Sequence, residues 1–488
     1  MNGCHESDIE TFLKSVFDLV LKEGVTEIND RTKPVINFKT PSELKQILDL
    51  AIPAKPASHA QLLEYCEQVF KYSVKTGHPR FFNQLYAGLD PYGFAGQVVT
   101  DVLNTSIYTY EVAPVFVLME KYLLDHVCHL IGYKEGDGTF SPGGSYSNML
   151  GMNLARFHKF PQVSKTGMRA LPRIVIFVSK HSHYSNKKNA SLLGIGSDDV
   201  IAVATDNSGR MDCSDLKQKI EEAEIQGATP FLVIATCGTT VLGAFDPLEK
   251  IADICEDKKL WLHVDAAWGG GVLFSSKYRQ LCKGIHRSDS VAWNPHKMLM
   301  APLQCCVFVT KHSNKLVKCH SIEVPYLFQQ DKTLYSSEYD IGSKVIQCGR
   351  KVDVLKLWLM MKAHGSTGLE TRINKAFLNA QKLTKLVEVT EGFELVCKPE
   401  CTNVCFWYIP KRLRSLKWSL DDDNFCRKMA QVPPLIKEGM TQSGSLMVGY
   451  QPLDGKPSFF RMVVINDKVT TDDMEFVIKE IDRLGSDL

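Results

Sequence analysis

The sequence lacks any apolar run approaching the roughly 18 residues that span a bilayer, so an α-helical membrane protein is not expected. Charge of one sign is also missing. Against 55 Asp and Glu stand 57 Lys and Arg, a formal net charge of +2 that gives nucleic acid no bulk electrostatic footing. The opening MNGCHESDIETF has neither the basic nor the apolar region of a secretory signal. Internal repeats and low-complexity tracts are lacking, as are the spacings G-x-G-x-x-G and G-x-x-x-x-G-K-[ST]. Dinucleotide and nucleoside-triphosphate readings therefore lose support. Cysteine is not scarce, but a pairing logic is: the 15 residues are odd in number, scattered, and include adjacent Cys305 and Cys306. Buried thiols in a reducing compartment, the cytosol, are the expectation. Cys397, Cys401 and Cys405 have no matching histidine set, so no metal site is expected.

What is present is an ordinary globular composition, 44% hydrophobic and 23% charged, in a chain of 488 residues that is too long for one simple core. Residues 1–78 read as amphipathic helices joined by a Pro/Ala-rich connector from Ala51 to Ala60. Between 79 and 354, short apolar runs alternate with helical patterns. The runs fall at Ile174–Val178, Val200–Ala204, Phe231–Ala235, Leu260–Val264, Ser290–Trp293 and Cys305–Val309. One helix is expected from Ser214 to Gly227, with Leu216, Ile220 and Ala223 on one face. Another is expected to start at an Asp246 N-cap with Pro247 in its first position. Such alternation predicts an α/β fold with a mainly parallel sheet covered on both faces, and ligands beyond the carboxyl ends of its strands. From 355 to 488, longer helices and strands near Asn403–Ile409, Leu446–Tyr450 and Phe459–Ile465 predict a smaller C-terminal α+β domain.

Five segments carry candidate chemistry. In VAWNPHK, Lys297 follows a buried-looking strand and an Asn-Pro turn with His296 beside it. A buried ammonium is costly, and a Schiff base to an aldehyde cofactor removes the cost; a lysine reaching solvent from a strand end is the plainer alternative. In WLHVDAAWGGG, Asp265 ends an apolar strand, where a carboxylate can pair with a pyridinium nitrogen and Ala267 can lie against the ring; it can also be a simple cap. In FSPGGSYSN, the turn around Gly144 and Ser145 opens a helical run and offers N–H groups to a phosphate. In HSHYS, His183 can stack on a flat ring. In FFRMVVI, the Arg461 guanidinium needs an anion, either a bound carboxylate or an internal partner. Together the five supply what pyridoxal phosphate requires.

The same segments, with HPRFFNQLYAGLD, YTYEVAPVFVLME, GAFDPLEKIADIC, YLFQQDK and NVCFWYIP, closely resemble the group II pyridoxal-phosphate decarboxylases of the aspartate aminotransferase fold type, in their animal branch acting on acidic amino acids. The resemblance runs from about residue 10 to the C-terminus. It implies pyridoxal 5'-phosphate as cofactor, with Lys297 as the lysine bonded to it, Asp265 as its ring-nitrogen partner and His183 as the stacking histidine. Ser145, Ser147 and Asn294 match phosphate-side positions, and Thr239 a position near the ring hydroxyl. Gln84 and Arg461 match substrate-binding positions, and Tyr326 the mobile-loop tyrosine that protonates the substrate carbon. Members are homodimers with the site at the subunit interface, the loop coming from the partner.

The resemblance also bears on substrate. Tyr86, Ser106 and Tyr108 stand where glutamate decarboxylases usually have Ser, Asn and Phe. The larger Tyr86 implies a shorter pocket, suited to cysteine sulfinate, giving hypotaurine, or to aspartate, giving β-alanine, more than to glutamate. Departures from the family pattern are Cys237, Pro302, Ser343 and one extra residue between Thr333 and Ser343. Transamination on the same fold, and a binding protein that retains the fold without catalysis, are the competing readings.

Overall fold

A computed structural model describes residues 6–322, 334–415 and 422–488, which form two compact units. The larger comprises Asp90–Phe377 and Cys397–Thr402. Its centre is a 7-stranded sheet: β1 (Asp137–Ser141), β2 (Ile174–Ser179), β3 (Val200–Val203), β4 (Thr229–Thr236), β5 (Trp261–Ala266), β6 (Ser290–Trp293) and β7 (Cys306–Thr310). The order is β1-β7-β6-β5-β4-β2-β3. Pairings from β6 through β3 are parallel, and β7 is antiparallel to both neighbours. A sheet covered on both faces needs apolar residues at nearly every position, which is why these strands appear as continuous runs. The expected runs match the strands to within a few residues; β1, reading DGTFS, has no such run and escapes detection.

Register brings chemistry to one edge. Asp265 pairs with Ala292 and Ala266 with Trp293, so the end of β5 and the turn leaving β6 toward Lys297 lie side by side. The helix Gly144–Lys159 packs across the sheet, burying Leu150, Met152 and Leu154 against Ile174, Ile176, Phe231, Trp261 and Phe308. The helix Cys213–Ile225 buries Leu216, Ile220 and Ala223 as expected, with Asp212 as its cap. Asp246, by contrast, does not cap the helix Leu248–Lys258. Its two carboxylate oxygens accept from the backbone N–H groups of Met211 and Thr236 at 2.7 Å each, tying the end of β4 to the segment around Met211.

The smaller unit comprises Met1–Leu89, Leu378–Val396 and Asn403–Leu488. Its 5-stranded sheet runs Phe81–Phe82, Met447–Leu453, Lys456–Val463, Asn403–Tyr408, Phe393–Leu395, all antiparallel except the first pair. The helix Thr471–Gly485 buries Met474, Val477, Ile478 and Ile481 and starts with a Thr470/Asp473 capping box. Here the domain boundaries differ from the sequence reading. Residues 1–78 pack into the smaller unit: Arg31 makes two 2.7 Å bonds to Asp473, Val35 N donates to Gly444 O, and Gly77 O accepts from Asn466 Nδ2 at 2.8 Å. Nor does the change fall at 355, because the helix Val354–Val389 belongs to the larger unit as far as Phe377. In that stretch Arg372 pairs with buried Asp90 at 2.8 Å.

A second buried ion pair orders the segment carrying Ser106 and Tyr108. Arg350 donates to both oxygens of Glu120 at 2.6 and 2.8 Å and to Ile107 O at 2.9 Å. Arg350→Ala strands a buried carboxylate and is expected to cost about 3–5 kcal/mol in denaturant unfolding. The paired Arg350→Met, Glu120→Leu replacement is expected to cost clearly less, and equal losses would refute this account of the pair.

Candidate active site

Within the larger unit, a cavity of about 240 Å³ opens at the carboxyl ends of β4, β5 and β6. Lys297, Asp265, Ala267, His183, Gly144, Ser145, Asn294 and His296 all line it, so residues up to 153 positions apart in sequence meet around one space. Gly143 precedes the helix Gly144–Lys159 with φ of 151°, a backbone conformation that favours glycine. A Cβ on Gly144 would stand 2.6 Å from Asn294 Nδ2, so only glycine allows this approach. Asn189 Nδ2 holds the turn by donating to Ser145 O at 2.8 Å.

The Asp265 carboxylate is buried and held from behind. Asn148 Nδ2 donates to Oδ2 at 2.7 Å and Ala267 N to Oδ1 at 3.0 Å. His183 Nδ1 lies 2.8 Å from Ser185 Oγ and accepts from Ser185 N at 3.3 Å. Burial lowers the His183 pKa, nearby Asp265 raises it and Lys297 lowers it; the imidazole is neutral near pH 7. Burial likewise pushes His296 down to about 4.

The walls fit pyridoxal phosphate. Two buried polar atoms of lining residues, Asn294 Oδ1 and Thr236 Oγ1, have no hydrogen-bond partner among the described residues, which calls for a polar ligand. A helix N-terminus with glycines and Ser145 suits a phosphate, Asp265 a cationic ring nitrogen, and Lys297 an aldehyde. Among the described residues no group of three or more His, Cys, Asp or Glu is disposed to hold a metal.

Not every expected residue is on this wall. Thr239 Oγ1 accepts from Ala244 N at 3.0 Å inside a turn, and it is neighbouring Thr240 that lines the cavity. Ser147 is buried with its Oγ 2.6 Å from Ser141 Oγ, also off the wall. Ser106 accepts from Arg350 N, and Gly342 N donates to Tyr108 O; neither Ser106 nor Tyr108 reaches the cavity. Gln84, Tyr86 and Arg461 belong to the smaller unit, where Arg461 Nη2 donates to Asn83 O at 2.9 Å, Tyr86 lies near Phe81 and Gln84 is exposed. Tyr326 lies outside the described residues. Lining residues the sequence reading did not single out are Asn148, Thr236, Trp268, Leu303 and Gln304. Asn148 was legible in principle, since it sits one helical turn beyond the Gly-Ser turn.

Comparison with known proteins agrees with this chemistry. Residues 41–409 match the pyridoxal-dependent decarboxylase conserved domain. The chain is 51% identical over 481 residues to human cysteine sulfinic acid decarboxylase, covering 98% of this chain and 97% of the relative. It is 51% identical to the acidic amino acid decarboxylase GADL1 of Bos taurus, covering 98% and 91%. The crystal structure of mouse CSAD superposes with a TM-score of 0.96 at 50% identity, covering 99% and 100% of the two chains. With its fold and its lysine-bearing cavity described, the chain belongs to the pyridoxal-dependent decarboxylases, amino acid decarboxylases that use pyridoxal phosphate.

Proposed function

We propose that this chain removes the α-carboxylate of cysteine sulfinate, giving hypotaurine, with aspartate, giving β-alanine, as the alternative substrate. The convergence of Lys297, Asp265, His183 and Ala267 on one cavity carries the reading, in a chain 51% identical to a cysteine sulfinic acid decarboxylase.

When bound, pyridoxal phosphate supplies an electron sink for the pair left behind as carbon dioxide departs. Lys297 holds it by its aldehyde, and Gly144, Ser145 and Asn294 hold its phosphate. Asp265 keeps a proton on the ring nitrogen, so that the sink stays cationic. His183, neutral and half-buried, offers its ring face for stacking without competing for that carboxylate. The half-buried Arg461 guanidinium, its pKa lowered by desolvation, matches the family position that pairs with a substrate carboxylate. Tyr326 delivers a proton to the α-carbon after the carboxylate leaves.

Carbon dioxide release from holoenzyme supplied with cysteine sulfinate, aspartate and glutamate in parallel tests the reading. Cysteine sulfinate is expected to be preferred and Lys297→Ala to abolish turnover; glutamate as best substrate, or normal turnover by Lys297→Ala, refutes it. Tyr86→Ser is expected to raise kcat/KM for glutamate relative to cysteine sulfinate about tenfold, the scale of one added methylene of pocket length. Tyr326→Phe is expected to raise the ratio of ketone to amine product. An unchanged ratio removes the role assigned to that tyrosine.

We infer a homodimer as the working form, as the family resemblance implies, and an exposed apolar surface supports it. Val99, Val102 and Leu103 on the helix Pro91–Leu103, with Val112, Val115, Leu118 and Tyr122 just beyond, are exposed on the larger unit, Val102 at 80%. So much apolar surface on one stretch favours a covering partner. Light scattering is expected to return about twice the chain mass, and Val102→Glu with Leu103→Glu to halve it; a monomeric wild type would refute the proposal. No helix among the described residues is long and apolar enough to cross a membrane, and the described cysteines are all free, which supports residence in the reducing cytosol.

A further inference from the structure

Behind Asp265 runs a buried chain of hydrogen bonds that points one way. Trp261, His263 and Asp265 alternate along β5 and so share one face, while Ser290 on β6 is the register partner of His263. Asn148 reaches them from the helix Gly144–Lys159. One turn on, Gly151 leaves room for the imidazole: a Cβ there would stand 2.6 Å from His263 Nδ1.

The chemistry of the groups fixes every donor. Indole N–H only donates, so Trp261 Nε1 donates to Ser290 Oγ at 2.9 Å. At the other end, Asn148 must turn its amide N–H to Asp265, because two bare oxygens at 2.7 Å would repel. Its Oδ1 therefore faces His263 Nε2 at 3.1 Å, which must carry the proton. Burial pushes His263 down to about 4, so the ring is neutral with that one proton and Nδ1 is bare. Nδ1 accepts from Ser290 Oγ–H at 2.8 Å. The sequence of donors is Trp261 to Ser290 to His263 to Asn148 to Asp265. All five side chains belong to residues no more than 5% exposed. In such a dry chain each bond polarises the next.

We infer that Asn148, His263, Ser290 and Trp261 are positioning residues that keep Asp265 an anion and thereby keep the cofactor's ring nitrogen protonated. The inference rests on the proposed pairing of Asp265 with that nitrogen. Neutral hydrogen-bond donors do this without adding a second charge that would compete with the ring for the carboxylate.

The test is the 15N signal of holoenzyme reconstituted with ring-15N pyridoxal phosphate, together with the rate of cofactor loss. Ser290→Ala removes one hydroxyl three hydrogen bonds from the carboxylate, leaving Trp261 N–H and His263 Nδ1 unpaired. It is expected to move the signal toward the unprotonated range and to speed cofactor loss on the order of tenfold, as for other outer partners of a bound group. Asn148→Leu is expected to do so more strongly, and Ser290→Thr to restore the wild-type signal. Ser288→Ala is the control: Ser288 is as buried but bonds Tyr133 and Ile285 outside the chain, and its signal is expected to stay put. If Asp265→Asn shifts the signal while Ser290→Ala and Asn148→Leu match wild type, the relay is wrong and the ring pairing stands. If Asp265→Asn leaves the signal unchanged, the pairing itself fails and the relay with it.

Discussion

A carboxylate held out of water at the end of a parallel strand is the constraint around which the larger unit is organised. Burying Asp265 without partners would favour its protonated form and make it useless to a cationic ring. The protein meets this with N–H donors on both oxygens, from Ala267 and Asn148. Each donor in turn needs its own support. Ala267 N is aimed by the turn that ends β5, and Asn148 by a helix seated against the sheet through Leu150, Met152 and Leu154. The apolar core and the charged site are therefore one problem: the packing that buries β5 also fixes where the carboxylate sits.

Glycine does much of the local work because two elements must approach closely. Gly144 lets the helix start touch Asn294 at the turn leaving β6, and Gly151 lets the same helix lie on His263. Moving that helix outward by the width of a methyl group would open the turn at Gly144 and withdraw Asn148 from Asp265 together. One helix thus couples the two ends of the cofactor site, although its own sequence reads as little more than a Gly-Ser turn and an amphipathic stretch.

Most of the larger unit was legible in sequence because its signals are local. Parallel strands buried on both faces produce unbroken apolar runs, and a residue that ends such a run, as Asp265 does, sits at a sheet edge. What was not legible depends on partners far along the chain. Residues 1–78 read as an N-terminal helical segment, yet Arg31 finds Asp473 and Gly77 finds Asn466, and no local pattern records a partner more than 360 residues away. Asp246 has the composition of an N-cap; the backbone N–H groups of Met211 and of Thr236 at the end of β4 claim its carboxylate instead. Thr239 and Thr240 cannot be ranked from sequence, since only the turn closed by Ala244 N decides which hydroxyl faces the cavity.

The residues proposed to hold the cofactor and those proposed to meet the substrate are carried by different parts of the chain. The groups that suit the cofactor, Lys297, Asp265, His183 and the Gly144 turn, all hang on the strand ends and helix start of one sheet, and any change there disturbs the core. Gln84, Tyr86 and Arg461 are carried by the smaller unit, and Ser106 and Tyr108 by a segment clamped separately by Arg350. Overall similarity is then a poor guide to substrate. The chain is 51% identical both to a cysteine sulfinic acid decarboxylase and to an acidic amino acid decarboxylase, and that equality carries no preference between them. On the proposed reading the preference resides in a few substrate-facing side chains, Tyr86 among them, and not in the many positions shared with both relatives.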